Sequence, residues 1–357
     1  MADCFKLKFV ADYCCITGYF NGSATFYGTD AFTINKTATG GGNGYDTFIA
    51  KYNTNGVLQS VVTIPADYGY GIAVDNAGNA YVTGEFSESF SINGNPYSPN
   101  GDMDAYLVKI NSIGTVEWFK SFGGTGKDEG NSVFFDVISN KAFVTGSFSG
   151  MVNFGASTLS SAGGQDMFLA RFDATTGSNE WVVKGGGTSD DRGSAILLKN
   201  NAVYTIGWFQ GMCTFGTTPL SSNSGSRDVF VASYVPATGI LNWIVQAGGS
   251  GEDMGWNIAT DDEGNIFGIG EFNGMALFGA LPLTSAGSTD MFTTKLNTSG
   301  GFIQAIKGGG SSSESGRGVV ADNCSVYMLG SFEGTALFGR QLTSAGGSDI
   351  FLWKKNK

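Results

Sequence analysis

Carboxylates dominate the side chains able to do chemistry, because this chain of 357 residues contains no histidine. An acid recurs about every sixty residues, at the turn leading into a short apolar run: Asp67, Asp128, Asp191, Asp253 and Glu314. Two chemistries suit such a set. Carboxylate oxygens converging at one mouth of a channel would hold a hard cation such as calcium. Alternatively, each acid accepts hydrogen bonds from the amides of its own turn. A cation site needs ligands that converge, whereas a turn needs one acid per copy. Calcium is the one cofactor this pattern admits, and no other cofactor or metal is expected.

Without imidazole there is no Ser/His/Asp triad, no Cys/His nucleophile and no His-ligated metal. The five cysteines (Cys4, Cys14, Cys15, Cys213, Cys324) form no CxxC pair and read as small buried hydrophobes. A second acidic set is invariant: Asp46, Asp104, Asp166, Asp228, Asp290 and Asp349 each precede x-aromatic. Six of six is what a structural bond to a nearby loop gives, since a catalytic group appears once. A third set, Asp12, Asp75, Asp136, Asp261 and Asp322, has Lys199 in its fourth copy. That lone reversal of sign either pairs with neighbouring carboxylates or faces water. Stretches such as GGTGKDEG and GGSGEDMG look like phosphate loops, but no helix follows them and they recur in each copy. Trp118, Trp181 and Trp243 share one repeated position and read as packing. Trp208 and Trp256 are not repeated, and either stack on a sugar ring or fill core.

These residues must be positioned by repeats. A glycine after the second apolar run falls at Gly18, Gly84, Gly146, Gly207, Gly270 and Gly330. Each copy carries four short β-like runs and no sustained helical period. The inner runs are small and apolar, such as GYGIAVD and GSAILLK; the second carry Thr-Gly or a variant, such as AFVTGSF. The third follow a Ser/Gly-rich loop, such as DMFLARF, and the fourth resemble NEWVVKGGG. Phe20, Phe86, Phe148, Phe209, Phe272 and Phe332 share one position, and Phe26, Ile92, Phe154, Phe215, Phe278 and Phe338 another, as packing between sheets requires. Four antiparallel strands in each of six copies predict an all-β, six-bladed β-propeller, with repeats at about 5–67, 68–128, 129–191, 192–253, 254–314 and 315–357 in one domain.

The succession TGxFxGxxxFG, SAGxxDxFLAK, Wxxxx-GG, GxxIAxD resembles the SBBP-type β-propeller repeat, similar in turn to NHL-type repeats, over nearly the whole chain. The resemblance implies the fold and no single activity. Copies one and two depart most, with the insert TATGGGNGYD and with Glu88 where other copies have Gly.

The count gives six first, six second and six third strands but five fourth strands, so the last blade is expected to have three. Asp349, Ile350, Phe351, Leu352, Trp353 and Lys354 then form an outer edge. That edge either docks a partner strand or is blunted by Lys354, Lys355 and Lys357.

The net charge of −11 excludes a nucleic-acid partner, whose phosphates need a basic face. No apolar run approaches a membrane span, and MADCFKLKFV lacks a leader's apolar core. The expected compartment is therefore the cytoplasm or a virus-like assembly. The expected function is a non-enzymatic binding or scaffold module with protein partners, such as a virion or phage component. A carbohydrate-binding propeller is the alternative, and a carboxylate-based lyase or hydrolase the third.

Overall fold

The structure, a computed structural model, describes residues 2–10, 13–29, 32–39 and 44–357. Apart from one 3-10 turn at Asn223–Gly225, every element among these residues is a β-strand. No helix among them is long and apolar enough to cross a membrane. Asp12 lies outside the described residues, as does the side chain of Cys4.

The chain forms two compact units, Met1–Ser161 with Phe168–Val183, and Ala162–Met167 with Lys184–Lys357. The first holds two four-stranded antiparallel sheets. Copy one runs Ala2–Val10, Tyr13–Asn21, Tyr45–Asn53, Leu58–Ile64, and copy two Tyr68–Val74, Ala80–Phe86, Asp104–Ile110, Val116–Phe122. Copy three begins with Glu129–Asp136 and Lys141–Asn153, followed by Thr158–Asp173 and Asn179–Gly187. The second unit holds copy four (Asp191–Lys199, Ala202–Gln210, Arg227–Tyr234, Leu241–Gly249) and copy five (Met254–Thr260, Ile266–Phe272, Asp290–Leu296, Phe302–Gly310). Copy six has three strands: Glu314–Ala321, Ser325–Leu337 and Gln341–Asn356.

Local chemistry sets these hairpins. After the third strand of copy one, Asn53 Oδ1 accepts from the amides of Asn55 (3.0 Å) and Val57 (2.9 Å), and Gly56 takes φ +77°. The twelve aromatic or aliphatic positions read from the repeat are all buried, none more than 9% exposed. Within a copy the second set packs on the ring that follows the invariant Asp: Phe215 on Phe230 at 4.8 Å, Phe278 on Phe292 at 4.7 Å, Phe338 on Phe351 at 4.1 Å.

Trp118 and Trp243 cover the gap to the following copy. Their indole N–H groups donate to the carbonyls of Ala174 (3.3 Å) and Thr298 (3.1 Å), in the next copy's third turn. Trp243→Ala is expected to lower the denaturant midpoint by an amount equivalent to about 2 kcal/mol, as loss of a half-buried indole does. An unchanged midpoint would show that the ring is not part of the packing.

The Ser/Gly-rich loops are not irregular. Each folds as a further hairpin, for example Met212–Phe215 with Thr218–Ser221, and Met275–Phe278 with Leu281–Thr284. In the second unit these hairpins pair with the end of the preceding outer strand. Gly185–Gly187 bond Phe215–Cys213, Ala247–Gly249 bond Phe278–Ala276, and Gly309–Gly310 bond Leu337–Ala336. The approach explains the Gly-Gly motif: a Cβ on Gly187 would stand 1.9 Å from the Met212 carbonyl oxygen, and one on Gly249 1.8 Å from that of Met275.

Cys14, Cys15 and Cys213 are buried as expected from sequence, but Cys324 is exposed. It sits in the tight turn after Asp322, whose carboxylate accepts its amide at 2.7 Å, so its side chain has no core to enter.

Candidate functional site

The structure buries all five recurrent acids, each at most 1% exposed. Asp128 accepts from the amides of Gly124 (2.8 Å) and Ser149 (3.0 Å). Asp191 accepts from Gly187 (2.8 Å) and Gln210 (3.2 Å), and Asp253 from Gly249 (2.7 Å) and Asn273 (3.3 Å). Glu314 accepts from Gly310 at 2.7 Å, and Asp67 from Ser87 at 2.8 Å. From Asp128 onward, the acid ties the last glycine of the run that ends or follows the preceding outer strand to its own copy. No group of three Cys, Asp or Glu side chains suited to a metal ion occurs among the described residues.

The invariant acids sit beside them. Asp104 accepts from the Asn100 amide (3.1 Å), Asp166 from Ala162 (3.1 Å), Asp228 from Asn223 (3.2 Å) and Asp290 from Ala286 (3.0 Å), each four or five residues back in the same loop. Asp166 and Asp290 also accept from Lys184 (3.0 Å) and Lys307 (2.9 Å). Burial pushes Asp128, Asp191, Asp228 and Asp253 up to about 7, against the opposing pull of their amide donors. Neighbouring acids add to the rise, Asp228 acting on Asp253 and Asp166 on Asp191.

The third acidic set caps the inner turns. Asp75 accepts from Ala77 (3.0 Å) and Asn79 (2.9 Å), and Asp261 from Asn265 (2.8 Å). Lys199 pairs with Asp262 at 3.7 Å.

Every inner strand carries a β-bulge at the same place, with the register shifting across Cys4/Lys6, Gly69/Gly71, Gly130/Ser132, Gly193/Ala195, Gly255/Asn257 and Gly316/Gly318. A bulge leaves one residue unpaired and re-aims its side chain. Among the residues whose side chains are described, those so treated are Tyr70, Asn131, Ser194, Trp256 and Arg317, five different types in five copies. Trp208 stands on the neighbouring strand, one residue past the repeated glycine.

In the second unit two tryptophan–arginine stacks result. The Arg227 guanidinium lies 4.5 Å from the Trp208 ring centre and 3.6 Å from Glu252. Arg317 lies 4.3 Å from Trp256 and 3.6 Å from Glu271. Trp208 is 6% exposed, and neither its indole N–H nor that of Trp256 has a hydrogen-bond partner among the described residues.

In the first unit the equivalent positions gather tyrosines that sequence reasoning missed. Tyr68 and Tyr70 stack at 5.8 Å with planes 2° apart, and Tyr19 lies 4.7 Å from Tyr68. Tyr45 adds a contact to Tyr19 at 5.4 Å. The Tyr70 hydroxyl donates to Glu85 at 2.8 Å, and Lys127 lies 3.7 Å from Glu85 and also pairs with Glu129. Their signal in the sequence was the departure of copies one and two from the repeat, not a shared motif.

At the other candidate, the edge strand, Ile350 (79%) and Leu352 (72%) are exposed, Phe351 is buried and Trp353 half-buried. Asp349 accepts from the Ala345 amide at 2.6 Å, and Lys354 lies 5.2 Å over the Tyr327 ring. The outer side of this strand has no partner among the described strands.

A family model described as a β-propeller repeat, SBBP, matches residues 63–85. No curated protein matches the chain. Among solved structures, one similar chain is the Dos1 propeller, with a TM-score of 0.46 and 10% identity over 99% of this chain and 92% of that one. An acylaminoacyl peptidase in complex with Z-Gly-Gly-Phe-chloromethyl ketone has a TM-score of 0.46 and 8% identity over 99% of this chain. This chain spans about half of that peptidase, 52% of its length. The β-propeller domain of the Trilobed protease from Pyrococcus furiosus has a TM-score of 0.37 and 8% identity over 99% of this chain and 95% of that one. The chain thus carries an SBBP-type β-propeller repeat in an all-β fold.

Proposed function

We propose that the protein is a non-enzymatic binding module, its six copies acting as the blades of a propeller and the last having three strands. The observation that carries this is the division of labour within the repeat. The repeated acids are bonded to backbone amides, while the bulged inner-strand residue changes in every copy. A repeated frame with one variable, re-aimed position per copy is what recognition needs and what a single catalytic centre does not. The partnerless indole N–H of buried Trp208 supports the same reading, since a bound acceptor would offset a cost of about 1–3 kcal/mol. A protein partner within a larger assembly, such as a virion, is the first reading. Co-purification with particle imaging tests it, with Arg317→Ala as comparator. A partner held by the parent chain and lost from the variant supports it; a partner retained equally by both removes the bulge positions from recognition.

The tyrosine group of the first unit favours carbohydrate as a second reading. Stacked rings beside Glu85 and Lys127 offer a sugar both an apolar face and polar groups. A glycan array gives the discriminating result. Binding that falls at least about tenfold in Tyr68→Ala with Tyr70→Ala, at unchanged secondary structure, is expected. An array without a hit removes the carbohydrate reading.

A further inference from the structure

Two adjacent inner strands of the second unit bring their unpaired bulge residues together: Trp256 of Met254–Thr260 and Arg317 of Glu314–Ala321. The Arg317 guanidinium stacks on the indole, and 52% of its side chain stays exposed. Glu271 approaches it at 3.6 Å, outside hydrogen-bond distance. Among the described residues, the N–H groups of this guanidinium make no hydrogen bond.

Arg227 repeats the arrangement on Trp208. Glu252 stands 3.6 Å from its Nε, which is buried and has no hydrogen-bond partner, and its Nη1 reaches only the Met254 sulfur at 3.8 Å. Met254 pairs across the sheet with Glu271, so the two stacks form one row: Trp208, Arg227, Met254, Glu271, Arg317, Trp256. Arg192 stands directly across from Trp208. Three of the chain's five arginines thus meet at one end of this unit, a local gathering of guanidinium on a chain of net charge −11.

The acids do not use these donors. Where the chain closes an ion pair fully, the distance is shorter, as for Lys109 with Glu117 and Lys141 with Asp173, both at 2.9 Å. Glu252 and Glu271 hold the guanidinium groups in place from beyond that distance, and the indoles hold them flat. A stacked guanidinium is pre-organised, with its face covered and its N–H edge turned outward. Such an edge fits a planar acceptor with two oxygens, which is a carboxylate. A dianionic phosphate would meet twice the repulsion from Glu252 and Glu271 that a single negative charge meets. A long polyanion would be repelled by the chain as a whole.

We propose that the partner of this module docks through an acidic peptide segment, whose carboxylates accept from the free edges of Arg317 and Arg227. The proposal rests on the recognition role given above to the bulge positions, and names the chemistry they recognise.

The probe is acetyl-Glu-Gly-Glu-amide, which sets two carboxylates on one side of an extended chain. It is titrated into the full chain and followed by tryptophan fluorescence, since Trp208 and Trp256 lie under the arginines. A saturable change is expected, at least about tenfold weaker for the Gln-Gly-Gln analogue, which keeps the shape and loses the charge. Arg317→Lys is expected to weaken binding at least about threefold, because it keeps the charge without the fork, and Arg317→Gln to weaken it about tenfold. Arg317 is exposed, so both variants leave the core intact. No saturable change at about 50 mM peptide would overturn the proposal, as would equal binding of the Gln analogue. Tighter binding of inorganic phosphate or of glucuronate than of the peptide would overturn it too, by giving the arginines to another class of anion. The co-purification test separates this chemistry from the reading beneath it. A partner lost from Arg317→Ala while the peptide fails to bind leaves recognition at the bulges standing and removes its acidic character. A partner retained equally by Arg317→Ala removes both.

Discussion

Asp191→Ala is expected to cost about 3 kcal/mol of stability at pH 5.5, read as a lower denaturant midpoint. The carboxyl group is fully buried and holds two amides, from Gly187 and Gln210. Removing it leaves both donors without an acceptor in a place water does not reach, at about 1–3 kcal/mol each. The loss falls on a particular link, since Gly187 belongs to the outer strand that meets the hairpin at Cys213. Hydrogen exchange should therefore quicken first at Gly185–Gly187 and Met212–Phe215. The same substitution is expected to cost less at pH 8.5, because there the parent carries a buried charge that alanine abolishes. An equal loss at both pH values, or none at either, would contradict the account.

The parent chain is expected to melt at least about 5 °C lower at pH 8.5 than at pH 5.5. Burial raises Asp128, Asp191, Asp228 and Asp253 from an ordinary value of 3.8 to about 7, and raises Asp104, Asp166 and Glu314 as well. A carboxyl group with a raised folded-state pKa binds its proton more tightly folded than unfolded. Its contribution is fully present below about pH 4 and is lost as the pH rises through about 7. Asp173 runs the other way. Its hydrogen bond from Lys141 holds it down to about 2, so its contribution is present above about pH 4 and disappears as the pH falls through about 2. Stability should therefore peak between about pH 4 and 6. The general repulsion of a chain with net charge −11 slopes in the same direction. Asp253→Asn separates the two causes: it removes one buried titration while changing the net charge little, and should flatten the melting profile measurably. A profile that is flat or rises between pH 5.5 and 8.5 would exclude the buried carboxyls as its source.

The candidate sites were legible in unequal degree. Trp208 and Trp256 stood out because they broke a repeat, and the structure sets an arginine over each ring. The tyrosines of the first unit had no signal beyond the departure of copies one and two from the repeat, because Tyr19 and Tyr45 stand on strands different from that of Tyr68 and Tyr70. They meet only when three strands are laid side by side and a bulge turns Tyr70. The five recurrent acids were placed at the right turns, with two chemistries left open. One amide donor to each of Asp128, Asp191 and Asp253, from Gly124, Gly187 or Gly249, is four residues back and local, whereas the second, from Ser149, Gln210 or Asn273, comes from a different strand end and is set by how the strands pair.

By itself the sequence determined the strands, their order within each copy and the buried faces. Those follow from alternation, turn chemistry and glycine placement, which act over a few residues, and repetition averages out the errors of any one copy. The tertiary structure alone decided that the Ser/Gly-rich loops fold as hairpins, that these reach the outer strand of the preceding copy, and that the acids are buried there. The physical reason is reach. A hydrogen bond between Asp191 and Gly187 is near in sequence, but the bond between Gly187 and Cys213 depends on how two sheets lie together, and side-chain period carries no record of that.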